Sequence, residues 1–75
     1  MKKTKQVEKY IAMIEEAKQF FENLAFDRQD TYDNKSEKWQ ESEKGEDCQT
    51  EITDLEDIAE SLEETLDRIS EAYEE

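Results

Sequence analysis

One stripe of apolar residues runs through the second half of this chain at helical spacing and does not slip. Cys48, Ile52, Leu55, Ala59, Leu62, Leu66, Ile69 and Tyr73 follow one another by steps of four and three. That is the heptad signature of a helix whose one face is buried against another helix. The first half repeats it less cleanly, with Val7, Tyr10, Ile14, Ala17, Phe21 and Leu24, and the same spacing continues through Arg28 and Thr31. Neither stripe can be buried alone, and the two segments are of near-equal length. The pattern therefore predicts an all-α fold, an antiparallel two-helix hairpin with coiled-coil-like packing. One domain over residues 1–75 is expected, with helices over about 3–32 and 42–73 and a turn over about 33–41.

The reversal falls within YDNKSEKWQESEKGE, residues 32–46. Proline is absent and Gly45 is the only glycine, so the break must come from side chains. Asp33, Asn34 and Ser36 have short polar groups that compete with helical hydrogen bonds and favour caps. Ser36 is placed to cap a single turn through Trp39. Ser42 is placed to cap the second helix, with Glu43 and Glu46 in a first turn where the helix dipole favours them. Gly45 then falls inside a helix, at a cost of ~1 kcal/mol against alanine, and close approach of the first helix near Thr31 is the expected reason. Trp39 is read either as a plug over the end of the hairpin or as an aromatic anchor for a partner.

The turn also carries a resemblance. YDN, then SEKWQESEKGE, then an acidic Leu/Ile-rich helix resembles a pattern in small uncharacterised phage and bacterial proteins, over about the second half of the chain. Lys35 and Ser36 stand where many of those sequences carry Met-Pro, which should leave this turn less rigid. The resemblance implies a helical hairpin carried by phages or other mobile elements. It implies no catalytic residue.

An antiparallel register follows from arithmetic, because facing residue numbers add to 76 along both stripes. Val7 then faces Ile69, Phe21 faces Leu55, Arg28 faces Cys48 and Thr31 faces Gly45. The same register sets Lys2, Lys3, Lys5 and Lys9 beside Asp67, Glu71, Glu74 and Glu75. Helix one carries a surplus of apolar residues, Ile11, Met13, Phe20, Ala25 and Phe26, whereas helix two adds only Ile58. A two-helix seam cannot cover all of these, and wet Phe or Met side chains each forgo ~1.5 to 3 kcal/mol. With Trp39, the residues Ile11, Met13, Phe20, Phe26 and Ile58 are the expected apolar oligomer or partner face. Self-association of two hairpins into a four-helix bundle is one occupant, and another protein is the other.

Charge divides unequally. Residues 1–41 hold 9 acids and 8 bases, and residues 42–75 hold 14 acids and 2 bases, so nearly all of the net −13 lies on the second helix. Asp47, Asp54, Asp57, Glu60, Glu64, Asp67 and Glu71 are expected on its outward side. Like charges at i, i+4, such as Glu56 with Glu60 and Glu60 with Glu64, each destabilise an isolated helix by ~0.2 to 0.5 kcal/mol. This face serves either solubility or a basic partner.

Much chemistry is excluded by composition. There is no histidine, and the lone cysteine lies on the seam without an activating neighbour. Asp27, Asp30 and Asp33 lack the alternating ligands and glycine of a calcium loop. No cofactor or metal is expected, and an enzyme is not expected. A chain of net charge −13 is repelled by phosphates, with only the few N-terminal lysines to oppose that, so direct nucleic-acid binding is not expected. The apolar stretch after MKKTK is cut short by Glu15 and Glu16, so neither secretion nor a membrane span is expected, and the unpaired cysteine fits a reduced cytoplasmic setting. The expected function is a protein–protein interaction module that acts on a basic surface and forms a homodimer. Its sharpest version is a phage-type inhibitor of a host defence nuclease, an anti-CRISPR or anti-restriction protein that occludes or mimics nucleic acid. A coiled-coil adaptor or assembly subunit is the alternative.

Overall fold

The computed structural model describes residues 3–73. It is all-helical, with two long helices packed against each other. Helix α1 is Lys5–Asp33, α2 is the single turn Glu37–Gln40, and α3 is Glu43–Ala72. Each start has a hydroxyl cap that answers one of the orphan amides of a first turn. The Thr4 side chain accepts from the Val7 amide, Ser36 from Trp39 and Ser42 from Gly45.

At its end α1 closes on Asn34, whose backbone and side-chain amides both donate to the Asp30 carbonyl, at 3.1 and 2.9 Å. Gln40 then ties the turn together. Its side-chain amide donates to the Tyr32 carbonyl at 2.8 Å, which also accepts from the Lys35 amide at 3.1 Å, and to the Lys35 carbonyl at 3.3 Å. The sequence pattern had marked Trp39 in this region but not Gln40.

The stripe on α3 lies inward along its whole length: Ile52, Leu55 and Ala59 are buried, and Cys48, Leu62, Leu66, Ile69 and Tyr73 are half-buried. On α1 the expected seam residues Val7, Ile14, Ala17, Phe21 and Leu24 are half-buried, whereas Tyr10, Arg28 and Thr31 are exposed. Ile11, Lys18 and Tyr32 are half-buried as well and Ala25 is buried, so the packed face is broader than the seam on one side. Ala25 and Ile11, counted above as surplus, thus belong to the packed face. The antiparallel register is seen directly at one level, where the Cys48 thiol donates to the Arg28 carbonyl at 3.9 Å. Beside it the Arg28 side chain reaches out to Glu51 at 2.8 Å.

One expectation needs correction. Gly45 is buried, but not against Thr31, which is exposed and donates its hydroxyl to the Asp27 carbonyl. A β-carbon at Gly45 would instead strike the backbone carbonyls of Trp39 and Gln40. The glycine lets α3 start directly beneath α2. Among the described residues the ion pairs are Lys18–Glu22 and Arg28–Glu51, and none joins Lys3, Lys5 or Lys9 to Asp67 or Glu71. Lys2, Glu74 and Glu75 lie outside those residues.

Burial is graded along the rod. The buried residues, Ala25, Gly45, Ile52, Leu55 and Ala59, lie between the turn and the middle of the rod. Towards the chain ends the facing residues are half-buried and leave an open cleft of about 340 Å³ among Val7, Tyr10, Ile11, Ile69 and Tyr73.

Candidate functional site

Two long helices side by side have two flanks and two backs, and the exposed residues sort onto them by helical angle. Taking about 100° per residue, Met13 and Phe20 fall on one flank of α1, while Lys18, Glu22, Ala25 and Gln29 fall on the other. On α3, Ile58 lies on the first flank, and Glu56, Glu60 and Glu63 on the second. The apolar residues proposed from sequence therefore do not form one face.

The first flank carries exposed apolar side chains. Met13 is 49% exposed, Phe20 60% and Ile58 41%, and the register sets Phe20 nearly abreast of Ile58. Phe20 leans edge-on against Phe21, ring centroids 5.2 Å apart, so one ring is in the seam and its neighbour stands at the seam's lip. Tyr10, 52% exposed, extends this strip towards the chain ends.

The second flank is a cleft of about 420 Å³. Buried Ala25 and Ala59 form its floor, and Phe26, the most exposed of the large apolar residues at 77%, stands at its wall. Its rim carries Glu22 and Gln29 from α1 and Glu56, Glu60 and Glu63 from α3. Lys18 is the cation of this rim, bonded to Glu22 at 2.9 Å. That hydrogen bond holds the Lys18 ammonium above its usual pKa; desolvation opposes it, and the charges of Glu22, Glu63 and Glu15 add to it.

Ile11 and Trp39 lie elsewhere. Ile11 is half-buried within the helix pair. Trp39 is half-buried over the turn, tilted against Tyr32 at 6.2 Å between centroids, with the Lys35 ammonium 5.3 Å from its ring. It stands at the turn end of the rod.

Asp47, Asp54, Asp57, Glu60, Glu64, Asp67 and Glu71 are all exposed. They wrap the back of α3 as a broad band rather than a single row, and Glu60 joins that band to the rim of the cleft. Glu22, Glu56 and Glu63 complete the rim, and sequence reasoning passed over them because they flank the seam rather than oppose it. Among the described residues no group of three or more Cys, Asp or Glu side chains is disposed to hold a metal ion. No described helix is long and apolar enough to cross a membrane. Comparison with protein-family models, with curated proteins and with solved structures finds no match to this chain.

Proposed function

We propose that this protein is a non-catalytic, acidic protein–protein interaction module that offers the carboxylates of α3 to a basic groove of a partner. The observation that carries this reading is the isolation of those charges. Asp47, Asp54, Asp57, Glu60 and Glu64 are exposed, and none takes part in an ion pair among the described residues. A helix that would be more stable with fewer like charges keeps them where a partner can reach them. The concrete form is an inhibitor of a nucleic-acid-handling enzyme, of the anti-CRISPR or anti-restriction kind. Carboxylates on one helix face recur at about 10.5 Å per heptad, and staggered neighbours fill the gaps, so an acidic rod approximates the charge density that a basic cleft reads in a phosphate backbone.

Titrating the protein into the restriction and CRISPR nucleases of its native host, each loaded with fluorescent duplex DNA, should displace the DNA. Displacement should weaken steeply from dilute to physiological salt. Changing Asp54, Asp57, Glu60 and Glu64 to Lys should end it without loss of helical signal. Displacement that ignores salt, or that survives the charge reversal, would mean that the acidity serves solubility.

The exposed Met13, Phe20 and Ile58 of the first flank favour a second component of the reading, which is self-association. Two hairpins joined through Met13, Phe20 and Ile58 make a four-helix bundle and bury what a thin two-helix core leaves wet. Equilibrium sedimentation should show a dimer that Met13→Glu with Phe20→Glu converts to a helical monomer. A wild-type protein that is monomeric at high concentration would remove the dimer and leave that flank to an adaptor's partner.

A further inference from the structure

We infer that the cleft beside Phe26 is a docking notch for a basic amphipathic helix of another protein, which seats an apolar side chain against Phe26 and the Ala25–Ala59 floor and sets Lys or Arg side chains against Glu22, Glu56, Glu60 and Glu63. This rests on the acidic-partner reading and deepens it, by giving that partner a defined point of attachment and a chemistry.

The notch has a structural origin. Ala25 and Ala59 both line the cleft, are buried and carry only a methyl group, so side chains that would fill this flank are absent. Phe26 beside them is 77% exposed on a flank otherwise lined by charge and amide. An aromatic wall over an apolar floor recognises an aliphatic or aromatic side chain, and a groove running between two helices accepts a third helix lying along it.

Charge then selects the occupant. A second copy of this chain would bring carboxylate against carboxylate, and nucleic acid would bring phosphate against carboxylate. A helix with cations flanking its apolar anchor fits both parts. The chain already shows the match on a small scale, since Lys18 lays its ammonium on this rim, 2.9 Å from Glu22 and within the field of Glu63 across the cleft. The apolar stem of such a side chain covers the floor while its head meets the rim.

The test uses three probes: a fluorescent helical peptide with leucines on one face and lysines on the other, a scrambled peptide of the same composition, and spermidine. The amphipathic peptide should bind roughly tenfold or more tighter than the scrambled one, with amide and methyl shifts centred on Ala25, Phe26 and Ala59. Phe26→Ser should remove that advantage, leave the scrambled peptide unaffected and preserve the helical spectrum, because Phe26 contributes little to the core. Equal binding of the two peptides, displacement of the amphipathic peptide by equimolar spermidine, or no binding at all would overturn the notch. If Phe26→Ser keeps the peptide while Asp54→Lys with Asp57→Lys loses it, the notch falls and the acidic-face reading stands. If neither variant loses it, both fall.

Discussion

Gly45 shows how much one hydrogen atom in place of a methyl group can decide. By helix propensity alone, Gly45→Ala should stabilise α3 by ~1 kcal/mol. The new methyl would meet the carbonyls of Trp39 and Gln40, which are backbone and cannot swing aside. Overpacking against rigid atoms costs ~1 to 3 kcal/mol, so the net effect should be destabilising. A lowered melting temperature, with the tryptophan emission of Trp39 shifted as α2 is pushed off, is the expected outcome. A raised one would mean that α2 can move away freely. The Ser42 hydroxyl adds to this junction by accepting from the Gly45 amide while donating to the Trp39 carbonyl.

Among the elements, the stripe of α3 could be read from sequence residue by residue, whereas that of α1 was legible at Val7, Ile14, Ala17, Phe21 and Leu24 but not at Ile11 and Ala25, and the reason is physical. Apart from the stripe, α3 has little that is apolar, so only one rotation buries it. On α1, Tyr10 and Ile11, Leu24 and Ala25, and Phe20 and Phe21 stand as adjacent apolar pairs, and more than one rotation satisfies the heptad rule. What selects the observed rotation is contact with α3, which no spacing encodes. The caps at Ser36 and Ser42 were legible because their chemistry is local. The cleft at Phe26 was not, because it exists only where Ala25 and Ala59 from different helices come together. The register can be tested at its most direct contact: Arg28→Cys, oxidised with the native Cys48, should form a disulfide within one chain. Closing a loop of roughly 20 residues should raise stability by about 3 kcal/mol. A product that runs on a non-reducing gel only as a crosslinked dimer would show that the helices pair between chains instead.

For the whole molecule the governing fact is a rod of 55 × 15 × 13 Å that carries a net charge of −13. Its radius of gyration is 16.9 Å, against about 11 Å for a compact domain of this length. Spreading the charge along a rod relieves repulsion but does not abolish it, and the two ion pairs described here are exposed and worth little. Sodium chloride should therefore raise the melting temperature as it screens the like charges on α3, with most of the rise complete by a few tenths molar. A fall with salt would mean that attractive pairs outweigh repulsion along the rod.

The grading of burial from the turn outward implies that the rod does not come apart everywhere at once. Pairing close to a tight reversal closes only a short loop, whereas pairing at the chain ends closes nearly the whole chain. Folding should accordingly start beside Gln40 and Gly45 and zip towards the termini, with the low contact order of a fast folder. The reverse process sets a clock on each amide. Hydrogen exchange should be slowest around Ile52, Leu55 and Ala59, and progressively faster through Leu62, Leu66 and Ile69 and through Ile14 back to Val7. The notch at Phe26 would then sit on the part of the molecule that opens last, and a partner held there would keep its grip while the far end frays.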